Sequence, residues 1–204
     1  MRGRLITLEG GEGAGKSTQV RFVCEWLEQR GRNVCVTREP GGTPQAEAIR
    51  QLVLSDWGEG VTPQTEVLLM YAARSAHLQH KIEPRLAAGD DVVCDRFADS
   101  SYAYQGAKGV SDQHLLALES LVLAGRKPDL TLLLDLPPDI GLARAHARGQ
   151  VNRFEAETLG FMTQVRQRFL QRASDEPGRI AVIDASRSLE QVQAQIAAAL
   201  EVRL

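Results

Sequence analysis

The apolar positions of the chain fall into two alternating patterns. Short aliphatic or β-branched runs occur at residues 5–8, 33–37, 92–94, 130–134 and 180–183. They lack the in-out alternation of a strand with one wet face, so they predict five strands buried on both sides, as in a parallel sheet. Between the first two runs, Val20, Val23, Cys24 and Leu27 recur at helical spacing, and Gly31 is placed to end that helix. A longer helical stretch from near Gln64 carries Val67, Met70, Tyr71, Arg74 and Leu78 along one side, and Pro84 predicts a kink or restart. Further helices are expected at about 111–124, 137–147, 154–173 and 188–201. Strand and helix alternate without repeat, low-complexity segment or linker. The expectation is one α/β domain over residues 1–204, a five-stranded parallel sheet with helices on both faces.

Composition narrows the setting without naming a chemistry. A formal net charge of −2 gives no bulk electrostatic footprint for a nucleic acid polymer or an anionic membrane. No apolar run reaches the roughly 18 residues that span a bilayer, and Met-Arg-Gly-Arg is unlike a secretory signal, so a cytoplasmic protein without a membrane partner is expected. Cys24, Cys35 and Cys94 are odd in number and form no CxxC pair, which suits small buried hydrophobes better than a metal or redox site.

The chemistry enters at Gly10-Gly11-Glu12-Gly13-Ala14-Gly15-Lys16-Ser17, which fits G-x-x-x-x-G-K-[ST] at every fixed position, between the first strand and the first helix. In that P-loop setting, backbone N–H groups from Gly10 to Thr18 curl around phosphates, the helix N-terminus adds partial positive charge, Lys16 reaches the β- and γ-phosphates and Ser17 ligates Mg²⁺. The motif predicts a P-loop NTPase-like fold that binds a nucleoside triphosphate and uses it for phosphoryl transfer.

Glu12 is the oddity within the loop, because a carboxylate is repelled by a triphosphate. It is either a solvated loop residue or an acceptor for a hydroxyl of a second substrate. The third strand ends in Asp95-Arg96-Phe97, where open α/β sheets place ligands. Asp95 can hold the water shell of Mg²⁺, and Arg96 a phosphate. Arg38 follows the second strand. Each arginine alone fits a structural ion pair; together, beside the P-loop, they point to a second phosphate site and to transfer between two nucleotides. The segment Arg144-Ala-His146-Ala-Arg148-Gly149-Gln150-Val151-Asn152-Arg153 reads as a basic lid at about 144–154 with a glycine hinge, able to bring positive charge to a phosphoryl group in transit.

Along nearly its whole length the chain resembles the bacterial thymidylate kinases. The resemblance is carried by the P-loop, Thr37-Arg38-Glu39-Pro40-Gly41-Gly42-Thr43, Tyr71-Ala72-Ala73-Arg74, Asp95-Arg96-Phe97, Asp99 to Gly106, Lys127-Pro128-Asp129, Leu134-Asp135-Leu136-Pro137-Pro138 and Arg153-Phe154-Glu155. It implies ATP as donor, deoxythymidine monophosphate (dTMP) as acceptor, Mg²⁺ and a homodimer. It also implies that Arg38 and Arg96 hold the acceptor phosphate, Glu12 accepts the 3′-hydroxyl, and Arg74 reaches thymine O4. Ser101 and Gln105 complete the base contacts, and Tyr104 excludes a 2′-hydroxyl. Where relatives stack an aromatic ring on the base, this chain has Met70 with Tyr71 next to it, and either can cover the base. Without an arginine in the P-loop, the chain is similar to the type that supplies its transition-state arginine from the lid, here Arg148 or Arg153. Lys16 and Arg96 complete the expected catalytic set. His146 and Asn152 depart from the lid pattern. Another nucleoside monophosphate kinase would lack the set Arg74, Ser101 and Gln105, and a regulatory nucleotide-binding protein would need neither Arg38 nor Arg96.

Overall fold

The computed structural model describes residues 2–147 and 158–204. Five strands, β1 (Leu5–Glu9), β2 (Val34–Arg38), β3 (Asp91–Asp95), β4 (Leu130–Asp135) and β5 (Ile180–Asp184), form one parallel sheet in the order β2-β3-β1-β4-β5. The helices are α1 (Lys16–Glu28), α2 (Pro44–Leu54), α3 (Pro63–His77), α4 (Glu83–Ala88), α5 (Ala98–Ala107), α6 (Asp112–Leu123), α7 (Pro138–Ala147), α8 (Leu159–Asp175) and α9 (Leu189–Arg203).

The alternating side chains of β1 feed two layers. Ile6 and Leu8 pack with Val20, Val23 and Leu27 of α1 and Ile196 and Leu200 of α9. Leu5 faces the opposite side, where Leu78, Ile82, Leu86, Val92 and Phe97 form a second cluster. A third, around Tyr104, Leu133, Met162, Val165 and Phe169, joins α5 and α8 to the sheet. The expectation of strands covered on both faces holds for β1, β3 and β4. It does not hold for the edges, where Val36 of β2 is 50% and Val182 of β5 is 48% exposed, because an outermost strand is flanked by a helix layer over part of its width only.

The long stretch from Gln64 stays helical from Pro63 to Ala88 but is not one regular α-helix: a π-helical turn over Leu78–Ile82 lies between α3 and α4, next to Pro84, whose ring and missing N–H do not fit an uninterrupted α-helical ladder. Helices α2 and α5 have no counterpart in the periodicity. Thr43 caps α2 by accepting from the Ala46 N–H at 3.3 Å, with Pro44 in the first turn. Helix α5 has no cap of its own, and all of residues 98–105 are buried, polar and apolar alike. Its cap is Glu9, whose Oε1 accepts from Phe97 N at 2.7 Å and Ser100 N at 3.3 Å.

In register, Leu8 and Arg38 both lie opposite Asp95. The carboxyl ends of β1, β2 and β3 therefore finish at one level, and the segments that follow them share one rim.

Candidate active site

The loop after β1 is shaped by glycine for two different reasons. Gly10 and Gly13 have φ of 137° and 71°, and their neighbours also leave no room: a Cβ on Gly10 would lie 2.5 Å from the Leu134 carbonyl oxygen, and one on Gly13 would collide with the Gly141 carbonyl at the start of α7. Gly15, φ 87°, has open space around it and needs only the left-handed backbone that turns the chain into α1. Lys16 Nζ is folded into the loop, donating to Gly10 O at 3.2 Å and Gly11 O at 3.1 Å. Burial, with the nearby charge of Arg96, lowers its pKa to about 8.

One cavity runs from this loop to the ends of β2 and β3. It is lined by Glu12 to Ser17, by Arg38, Glu39, Pro40 and Arg50, by Asp95 and Arg96, and by Met70, Tyr104 and Gln105. Gly10 and Gly11 line a smaller cleft toward β4 and Arg166, and Thr18 lines neither.

At the phosphate end, Arg96 has φ of 69°, which aims its side chain back across the loop. Its guanidinium donates to Gly10 O at 2.9 Å, Glu12 Oε1 at 2.7 Å, Tyr104 Oη at 3.2 Å and Ser100 Oγ at 3.3 Å. Burial works against its charge, yet the field of Tyr104, Glu12, Asp95 and Glu9 raises its pKa further, so it stays cationic. Behind it, Glu9 is fully buried; burial first and the charge of Asp99 second push its pKa up to about 7, against its bonds from Ser100 and Phe97. Ser100 Oγ donates to Glu9 Oε2 at 2.6 Å, linking the carboxylate to the arginine. Arg38 is half-exposed and paired with Glu47 at 3.0 Å. Arg50 of α2 joins it, donating to Pro40 O at 2.8 Å; burial and the charge of Arg38 lower its pKa.

The other end is closed. Arg74, 2% exposed, donates from Nε to Glu39 Oε2 at 2.7 Å, from Nη1 to Ser101 Oγ at 3.1 Å and from Nη2 to Phe97 O at 3.0 Å. The second oxygen of Glu39 accepts from His77 Nδ1 at 3.1 Å, and His77 Nε2 lies 2.6 Å from Thr37 Oγ1. A carboxylate only accepts, so the His77 Nδ1 carries a proton toward Glu39. Gln105 Nε2 donates to Glu66 Oε1 at 2.9 Å, while Gln105 Oε1 is buried with no hydrogen-bond partner. Met70 faces the cavity; Tyr71 instead packs with Val67, Tyr102, Val110 and Leu115 under the Arg74 guanidinium, 4.6 Å from its ring centre.

Asp95 Oδ1 is likewise buried without a hydrogen-bond partner, close to Lys16 and Ser17 on the cavity wall. Among the described residues no cluster of three or more His, Cys, Asp or Glu forms a closed metal cage. One orphaned carboxylate oxygen and one hydroxyl beside a phosphate loop suit a Mg²⁺ held mainly by water and phosphate oxygens. Arg148 and Arg153 lie outside the described residues, as does the expected lid from 148 onward, whereas 144–147 end α7.

Arg38, Arg96, Gln105, Tyr104, Glu12 and the loop residues to Ser17 thus line one cavity, whereas Arg74 and Ser101, 2% and 0% exposed, are bonded to each other behind its wall and are not part of the lining. Sequence reading gave no role to Glu9, Arg50, Glu66 or His77. Arg50 had a legible signal, since Thr43-Pro44 is a helix start that would have put it on a helix beside the rim. The other three are ordinary acid and histidine positions whose partners lie at least 35 positions away along the chain.

The family model described as "Thymidylate kinase" matches residues 8–196. A thymidylate kinase of Chromohalobacter salexigens is 55% identical, covering 99% of this chain and 97% of its own length. One of Ectopseudomonas mendocina is 52% identical over 98% and 96%. The crystal structure of thymidylate kinase from Ehrlichia chaffeensis superimposes with a TM-score of 0.79 at 31% identity, covering 98% of this chain and 99% of that one. With a phosphate loop, a second set of arginines facing it and similarity over its full length, this chain belongs to the thymidylate kinase family.

Proposed function

We propose that the protein transfers the γ-phosphoryl group of ATP to dTMP, giving ADP and deoxythymidine diphosphate. The observation that carries this reading is a single cavity lined by two groups of cations, Lys16 in its loop and Arg38, Arg50 and Arg96 opposite, and continuous with a closed end that Gln105 lines, with Arg74 buried behind it. Two phosphate sites in one cavity suit in-line transfer, in which an acceptor phosphate oxygen bonds to Pγ while the bond from Pγ to the β-phosphate oxygen breaks.

Gly10 to Thr18 hold the donor phosphates, with Lys16 on the β- and γ-oxygens. Ser17 and Asp95 hold Mg²⁺, which when bound neutralises phosphate charge. The acceptor phosphate takes Arg96 from Glu12 and Arg38 from Glu47. Glu12 then accepts the sugar 3′-hydroxyl, and the Tyr104 ring, wedged against Phe161 and Phe169 with centroids 6.5 and 6.1 Å away, fills the space beside C2′. Met70 covers the base, and Arg74, Ser101 and Gln105 read its edge. Arg148 and Arg153 supply charge to the phosphoryl group in transit from a lid at about 144–154 of this single domain. No helix among the described residues is long and apolar enough to cross a membrane, in keeping with a cytoplasmic enzyme; the working state is a homodimer.

The test is ADP release, followed with ATP and Mg²⁺ and each common nucleoside monophosphate in turn. Turnover with dTMP should exceed that with any other. Equal or faster turnover of adenosine or cytidine monophosphate contradicts the proposal.

A further inference from the structure

We propose that Glu66, together with Lys108, is a positioning residue that fixes the polarity of the Gln105 side-chain amide and thereby sets which pyrimidine the cavity accepts; this rests on the reading of the closed end as the base site. A glutamine amide can present either its oxygen or its nitrogen, and nothing in the residue itself chooses. Here the choice is made by a neighbour that can only accept. Glu66 is 1% exposed on α3, and its Oε1 takes the Gln105 Nε2–H at 2.9 Å. Lys108 Nζ lies 3.2 Å from both Glu66 oxygens, so the carboxylate charge is paired where it is buried. With the nitrogen held on Glu66, the trigonal amide turns Oε1 the other way. Gln105 lines the cavity, and this oxygen is one of the few buried polar atoms of the described residues without a hydrogen-bond partner.

A buried acceptor left unsatisfied is costly in the free protein and is relieved by a ligand that donates to it. Thymine and uracil carry a proton on N3. Cytosine carries a lone pair there, which would face the Gln105 oxygen with no proton between them. Arg74, held by Glu39, Ser101 and Phe97 O, presents donors only. Gln105 therefore gives the wall an acceptor, the complement of the N3–H of a 4-oxopyrimidine, with the buried Arg74 guanidinium behind the wall as the nearest fixed donor group. Glu66 touches neither the base nor the reacting atoms and acts wholly through Gln105.

The experiment measures kcat and KM for dTMP and for deoxycytidine monophosphate in wild type, Glu66→Gln and Glu66→Gln/Lys108→Met. The single variant replaces an obligate acceptor with a group that donates or accepts, and Lys108 still draws its oxygen. Removing Lys108 as well lifts that bias and lets the Gln105 amide turn. The preference for dTMP, as a ratio of kcat/KM, should fall in the single variant and by about tenfold or more in the double, the scale on which one misplaced polar group is discriminated. The change should come through a higher KM for dTMP, with kcat at saturation within about threefold. An unchanged preference, or a lowered kcat with the same preference, overturns the role of Glu66 while leaving the base site standing. A wild type that does not prefer dTMP removes the base site itself. If the variants do not fold, the wild-type side-chain amide signal of Gln105 in ¹⁵N-glutamine-labelled protein, identified by its loss in Gln105→Ala, answers the question. Its amide protons should exchange slowly with and without dTMP; protection that appears only with the nucleotide would mean that nitrogen meets the base, and overturns the proposal.

Discussion

The two ends of the cavity use the same residue, arginine, in opposite ways. Arg74 at the closed end is buried and bonded to three fixed partners. Arg38 at the open end is half-exposed and meets a single glutamate, and Arg96 holds Glu12 as its charged partner. The closed end is pre-organised: its polar groups are already held by fixed partners, so on the proposed reading a flat, neutral base edge requires little ordering on binding. On the proposed reading the open end exchanges partners, with the acceptor phosphate replacing Glu47 and Glu12 at the arginines. The difference follows from the ligand. A neutral edge is recognised by direction, which rigidity supplies, whereas a dianion is recognised by charge, and carboxylates keep that charge compensated until the dianion arrives.

The largest expected effect concerns the charge that neither end supplies. On the proposed reading, with Arg38 and Arg96 engaged on the acceptor, the transferring group takes its charge from Arg148 and Arg153, and an arginine in that role contributes a factor of roughly 10³ or more. Arg148→Ala or Arg153→Ala should lower kcat by at least about tenfold to a hundredfold, Arg153 more than Arg148, with KM for dTMP changed far less. Steady-state kinetics of both single variants and the double decide it. Near wild-type kcat in the double variant would assign the transition-state charge to Lys16 and Mg²⁺ alone.

On stability, the two ends should contrast. Arg74→Met leaves Glu39 buried without its cation and should cost about 3–5 kcal/mol in denaturant unfolding. Arg38→Ala breaks an exposed pair and should cost less than about 1 kcal/mol, while raising KM for dTMP. Similar unfolding free energies for the two variants would erase the distinction drawn between the ends.

The smallest effect is a pH dependence on the donor side. Lys16 has its pKa lowered to about 8 by burial, and bound phosphate restores its charge, so ATP binding takes up a proton above that pH. Apparent ATP affinity should be level below pH 8 and fall by up to about tenfold per unit above it. The same lowered pKa means that the folded state binds fewer protons than the unfolded one between 8 and 10.5, so this lysine's contribution to stability rises with pH in that window. Binding titrations from pH 7 to 9.5 with Lys16→Arg as control check the first statement. An equal slope in the variant would attribute the dependence to another group.

Much of this molecule is legible along the chain. The five strands lie within one or two residues of their aliphatic runs, because a strand covered on both faces must be apolar throughout. Met70 and Tyr71 show where periodicity stops short: both sit on one stripe of α3, and only packing sends Tyr71 into a cluster with Tyr102 and Leu115 and Met70 to the cavity wall. Helix α5 was illegible as a helix because its buried positions carry Asp99, Ser100, Ser101 and Gln105, chosen for hydrogen bonds and not for an apolar stripe.

The sequence by itself determined the phosphate loop, since Gly10 to Ser17 build their site from contiguous backbone, and it identified the strand ends that carry Arg38 and Arg96. Tertiary structure alone decided which way the polar groups face. Glu9 caps α5 from 88 positions away, Glu39 anchors Arg74 across 35, and Glu66 turns Gln105 across 39. A buried hydrogen bond is directional and its partners are chosen by the fold, so no spacing along the chain records it.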